Sequence, residues 1–165
     1  MKRLLLTTLL GVALSLGIVA PAAASAPRLA IHAVDVIDWS TVDWGKKRWE
    51  SDGIEHVRGW SAAYETVLTV GGTQMSASSV AVVNWNATVE DGVGTMWGTM
   101  EVTLSGGAGG WHSTWVAKVD PGFSWSGWGI GRGWGSMAGT QLRYDVWQTD
   151  IGADEWSGYV FRPGS

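Results

Sequence analysis

Between residues 127 and 135 every second residue is glycine: Gly127, Gly129, Gly131, Gly133 and Gly135. A helix would lose about 1 kcal/mol at each of them relative to alanine. In an extended strand, side chains alternate between faces, so all these glycines fall on one face. Trp128, Ile130, Arg132 and Trp134 fall on the other. A bare glycine face lets a strand coil sharply, or lets a large aromatic ring lie across its backbone. Both are devices for closing a small barrel.

The neighbouring segments carry the same period of two. In 79–89, Ala81, Val83, Trp85, Ala87 and Val89 share a face opposite Asn84, Asn86 and Thr88. In 94–104, Met96, Met100, Val102 and Leu104 share a face with Gly94 and Gly98, against Thr95, Trp97, Thr99, Glu101 and Thr103. In 111–119, Trp111, Ser113, Trp115, Ala117 and Val119 oppose His112, Thr114, Val116 and Lys118. In 139–148, Leu142, Tyr144 and Val146 oppose Gln141, Arg143, Asp145 and Trp147. Alternation with β-branched and aromatic residues means strands. Asp91-Gly92, the glycines of 105–110 and Asp120-Pro121-Gly122 supply the turns. Upstream, 31–38, 44–50, 54–60 and 62–70 read as further strands, with a turn at Ser51-Asp52-Gly53, and 156–161 reads as the last. No amphipathic window of helical period exceeds about two turns. The expected fold is all-β: a single antiparallel meander barrel of about 8–10 strands, preceded by an N-terminal signal peptide. A β-sandwich is the alternative.

The export expectation rests on the first residues. Lys2 and Arg3 precede an apolar run from Leu4 to Val19, followed by the small residues Ala22, Ala23 and Ala24. That is the layout of a secretory signal peptide, with cleavage expected after Ala24 and a mature start at Ser25. The division is 1–24 signal peptide and 25–165 barrel domain. The domain has 141 residues (165 minus 24), enough to bury a core. Lys and Arg fall from 11 to 9 against 15 Asp and Glu, a mature charge of −6 (9 minus 15). No basic footprint for nucleic acid is present, and no membrane span is expected after signal cleavage. Cysteine is absent, which excludes disulfide staples and thiolate metal sites. The 13 tryptophans are unusually many; each offers a large apolar area and one indole donor.

Gly94-Thr95-Met96-Trp97-Gly98-Thr99, Gly110-Trp111-His112-Ser113-Thr114-Trp115, Gly127-Trp128-Gly129-Ile130-Gly131-Arg132-Gly133 and Ala138-Gly139 form a spaced series. The series resembles the C-terminal half of small bacterial barrels akin to allene oxide cyclase and dirigent proteins. His56-Val57-Arg58-Gly59 is similar to a segment of related exported bacterial proteins of unknown function. The resemblance covers about residues 54–148. Its positions are glycines and tryptophans that shape a barrel, so it implies fold. No motif matches the catalytic residues of the cyclases.

No residue pattern marks a catalytic centre, and no cofactor is expected. His32, His56 and His112 lack metal-ligand spacing, so no metal site is expected. No Gly-x-Ser-x-Gly elbow occurs. The paired carboxylates Glu90-Asp91 and Asp154-Glu155 sit at expected turns and read as solvated loop charge. The one cluster singled out for ligand binding is His56, Arg58 and Trp60, whose spacing of two places all three on one face of a strand. An arginine fork beside a flat indole would suit an acidic or aromatic ligand. On the outer face the same residues would be packing and ion-pair groups.

Three functions stay open at this point. The first is a barrel binding a small apolar or aromatic ligand. The second is a cyclase- or isomerase-like enzyme acting on a lipid-like substrate. The third is an extracellular structural or carbohydrate-contacting module presenting Trp39, Trp44 and Trp49. The residues leave oligomeric state undetermined.

Overall fold

The computed structural model describes residues 27–163. The signal-peptide segment 1–24 lies outside the described residues. Nine strands follow one another: β1 (Arg28–Asp43), β2 (Lys47–Ser51), β3 (Ile54–Val70), β4 (Thr73–Thr88), β5 (Gly94–Leu104), β6 (Gly109–Val119), β7 (Trp125–Gly135), β8 (Gln141–Asp150) and β9 (Ala153–Phe161). The described residues contain no helix. None of them therefore forms a helix long and apolar enough to cross a membrane.

Every strand pairs antiparallel with its neighbours, and β1 pairs with both β9 and β3. That last pairing closes an eight-stranded barrel. The extra strand, β2, continues along the edge of β3 beyond the point where β1 leaves it at Asp43. The expected meander barrel is thus the observed fold. Closure leaves the eight barrel strands without an open edge. The hairpin between β2 and β3 uses Asp52 and Gly53, both at positive φ (53° and 72°), the geometry of a two-residue turn matched to strand twist.

Several boundaries differ from the sequence expectation. β1 extends well beyond 31–38, and β9 begins at Ala153 instead of 156. The third strand is continuous from Ile54 to Val70 and does not break at Ser61. Its irregularity is a bulge between Val57 and Trp60, where Gly59 adopts φ 75°. Val89 lies outside β4 and is exposed, because pairing ends at Thr88 and the chain turns.

The alternating faces appear as read. The glycines of β7 point inward, and Trp128 and Ile130 outward. A methyl group built on Gly129 would overlap the Tyr144 ring from β8. The glycine face therefore admits an aromatic ring laid over bare backbone.

One end of the barrel is filled. Ile31, Ala33, Leu68, Val102, Trp111, Leu142, Trp156 and Val160 form a packed apolar plug there. Trp111 is completely buried, and its indole donates to Thr140 Oγ1 at 3.1 Å. The end bounded by the turns β2–β3, β4–β5, β6–β7 and β8–β9 is hollow.

Candidate functional site: the barrel cavity

Eight strands enclose an interior just wide enough to be filled by side chains or to hold one small ligand. Here one end is filled by side chains and the other is left hollow. Above the plug lies a cavity of about 440 Å³. Its walls include Trp60 on β3, Trp85 on β4, Trp115 on β6 and Trp125 on β7. The rings of Trp115 and Trp125 stack with centroids 5.8 Å apart. Ala81 and Ala87 on β4 keep the space between them open. Trp39, Trp44, Phe123 and Ile151 line its mouth and are exposed there.

The floor is polar. Asp35 on β1 and Asp154 on β9 are register partners, so their side chains enter the barrel side by side. Asp35 is 3% exposed and fully engaged. Thr66 Oγ1 donates to its Oδ1 at 2.6 Å, and the Trp156 indole donates to its Oδ2 at 2.9 Å. Thr66 also shares a hydrogen bond of 2.7 Å with Ser79. Asp154 is 9% exposed and makes no hydrogen bond through its carboxyl among the described residues. Tyr144 completes the floor, its hydroxyl 3.1 Å from Ser113 Oγ and its ring tilted against Trp156 at 5.2 Å.

Burial dominates the electrostatics. It pushes the Asp35 carboxyl up to about 6 against the pull of its two donors. It pushes Asp154 up to about 7, with the nearby Asp35 charge adding to the rise. The Tyr64 and Tyr144 hydroxyls are also raised by burial, so both stay protonated at any physiological pH. Glu55 stands higher in the cavity and already has partners: Arg48 Nε donates to it at 2.7 Å and the Trp85 indole at 3.1 Å.

His56, Arg58 and Trp60 do not share a face. The bulge at Gly59 shifts the alternation by one residue, so Trp60 enters the cavity while His56 and Arg58 lie outside. The expectation of one common face is corrected on that ground. His56 stacks on Trp49 at 4.8 Å and bonds Asn86 Oδ1 through Nδ1 at 2.8 Å. Arg58 lies over the Trp49 and Trp97 rings, at 5.2 and 4.8 Å. Its guanidinium donates to the carbonyls of Val57 and Trp85 and to Asn86 Oδ1. These bonds tie β3 to β4 at the bulge.

Other expectations shift as well. Asp154 is a buried cavity residue and not solvated loop charge, because β9 starts one residue before it. Glu155 beside it faces outward toward His32, at 3.7 Å. His112 meets Glu101 at 3.4 Å on another part of the surface, so the three histidines stand apart. Trp39 and Trp44 line the cavity mouth whereas Trp49 stacks outside on His56, so the three rings form no common platform.

Asp35 and Asp154 were the residues that sequence reading missed. The signal for Asp35 is its position: Ile31, Ala33, Asp35 and Ile37 alternate on one face, which puts a carboxylate among apolar side chains. For Asp154 the signal is the spacing of two to Trp156, extended backward into the turn. No family model, curated protein or solved structure matches the chain.

Proposed function

We propose that this chain is an exported binding protein that holds one small, largely apolar or aromatic ligand in the hollow half of its barrel. The observation that carries the reading is the cavity of about 440 Å³ walled by indole rings and open at one end. A space of that size accepts a small organic molecule, and tryptophan walls bury its apolar surface with little loss of conformational freedom. The export part of the reading rests on the residue layout of 1–24.

The test uses the indoles themselves. Naphthylmethanol titrated into the protein should quench tryptophan fluorescence saturably with one molecule per chain. Quenching that rises linearly without saturation would contradict a built site.

A second reading, an isomerase-like enzyme in the manner of the allene oxide cyclases, is favoured by one observation. Asp154, raised to about 7 in a mostly apolar cavity, has the proton affinity of an acid–base group working near neutrality. It predicts chemical conversion of a bound substrate, lost on Asp154→Asn. Simple binding predicts recovery of the ligand unchanged.

A further inference from the structure

Resting on the binding reading above, we propose that the cavity selects an organic cation: an apolar body whose protonated amine is seated on the Asp154 carboxylate. The charge inventory points there first. Asp35, Glu55 and Asp154 line the cavity, and no Lys, Arg or His does so among the described residues. A carboxylate ligand would meet like charge at the floor, whereas an ammonium would meet the opposite charge.

The hydrogen-bond inventory narrows the choice to one residue. Both oxygens of Asp35 accept from Thr66 and Trp156, and Glu55 is taken by Arg48 and Trp85. Asp154 alone of the three carboxyls has no hydrogen-bond partner among the described residues. Its register partner on β8, Gln148, also lines the cavity and has a buried Oε1 with no donor. An unpartnered carboxyl on the cavity floor calls for a group that donates. An ammonium carries three N–H donors and no acceptor. A charge buried without a partner is costly, and an amine supplies both the opposite charge and the missing donors.

The walls agree with the floor. Tryptophan faces attract cations through the ring quadrupole, best where water is excluded. Trp60, Trp85, Trp115 and Trp125 thus favour the body and the charge of the same ligand. The titratable groups facing Asp154 are Asp35 on β1 and Tyr64 on β3, with Tyr144 on β8 lining the same cavity and Glu55 higher up and paired. None of these is a cation that could take the amine's place.

The experiment compares three probes on the same ring system: naphthylmethylamine, naphthylmethanol and naphthoate. Binding is measured by tryptophan quenching with wild type and Asp154→Asn at about pH 8. The amine should bind wild type tighter than the alcohol by about tenfold or more, and naphthoate should bind weakest. In Asp154→Asn the amine's advantage over the alcohol should disappear. A second arm needs no variant. Lowering the pH from about 8 to about 5 protonates Asp154, whose carboxyl titrates near 7, and should remove the amine's advantage in wild type. Equal binding of amine and alcohol, a preference that persists in both the variant and acid, or tightest binding of naphthoate would overturn the cation proposal and leave the cavity reading standing. Failure of all three probes to bind would overturn both.

Discussion

The two halves of this barrel share the same strands but are packed differently. In the lower half, inward positions carry Leu68, Val102, Trp111 and Leu142, and the interior is packed with apolar side chains. In the upper half the corresponding positions include Ala81 and Ala87, and the large rings of Trp60, Trp85 and Trp115 stand along the walls. Strand number sets the width of a barrel, but side-chain volume decides whether that width is filled. Asp35 and Asp154 lie between plug and hollow, at the one level where polar groups enter the interior in number. A lower half that bears stability leaves the upper half free to be incomplete.

Tryptophan truncation should separate the halves most sharply. Trp111→Ala removes a fully buried ring and an indole bond, and should cost about 3–5 kcal/mol in urea denaturation. Trp60→Ala should cost only about 1 kcal/mol, because its ring already borders open space and its loss creates no new closed void. Equal costs would mean that the hollow is not a distinct region.

Gly129→Val probes the seam between them. The added side chain collides with the Tyr144 ring at the cavity floor. The expected loss is about 1–3 kcal/mol, as for overpacking, read from a lowered melting temperature. An unchanged melting temperature would show that the ring does not rest on the glycine.

The smallest expected effect depends on pH. Burial raises the Asp154 carboxyl from 3.8 to about 7, so between these values the folded chain holds a proton that the unfolded chain has released. Stability from this group is therefore fully present below about pH 4 and is lost as pH rises through about 7. Asp154→Asn removes the titration. The variant should gain on wild type as pH rises from about 4 to about 8. Asp35, raised to about 6, leaves a residual slope in the variant. Wild-type and variant stability curves that run parallel across this range would refute a buried Asp154 charge.

Most of the fold was legible because the period of two is long and clean in β4 to β8, and each run ends in turn residues. The site was less so. The sequence reading assigned 54–60 one unbroken alternation, but Gly59 takes a positive φ and moves Trp60 to the opposite face from Arg58. A single glycine inside a strand pattern is a known bulge signal, and it was the clue available. Asp154 was hidden by its neighbours: an Asp-Glu pair beside a Gly-containing turn resembles solvent-exposed charge until the strand start is known. Inward direction follows from period, whereas depth in the barrel depends on how strands are staggered around the closure. Trp85, Trp111 and Trp115 share the inward faces of their strands, yet only Trp111 is fully buried.

The most direct test of the central claim is to fill the hollow and leave the plug intact. Ala81→Phe places a ring in the cavity from β4, beside Ala62 on β3 and Met100 on β5. Naphthylmethanol titration, followed by tryptophan quenching, is then compared between wild type and this variant. Wild type should bind saturably and Ala81→Phe should not, with the variant's melting temperature equal or higher. Undiminished binding in a folded Ala81→Phe protein would contradict a site in the hollow, since the probe would then be held somewhere other than the barrel interior.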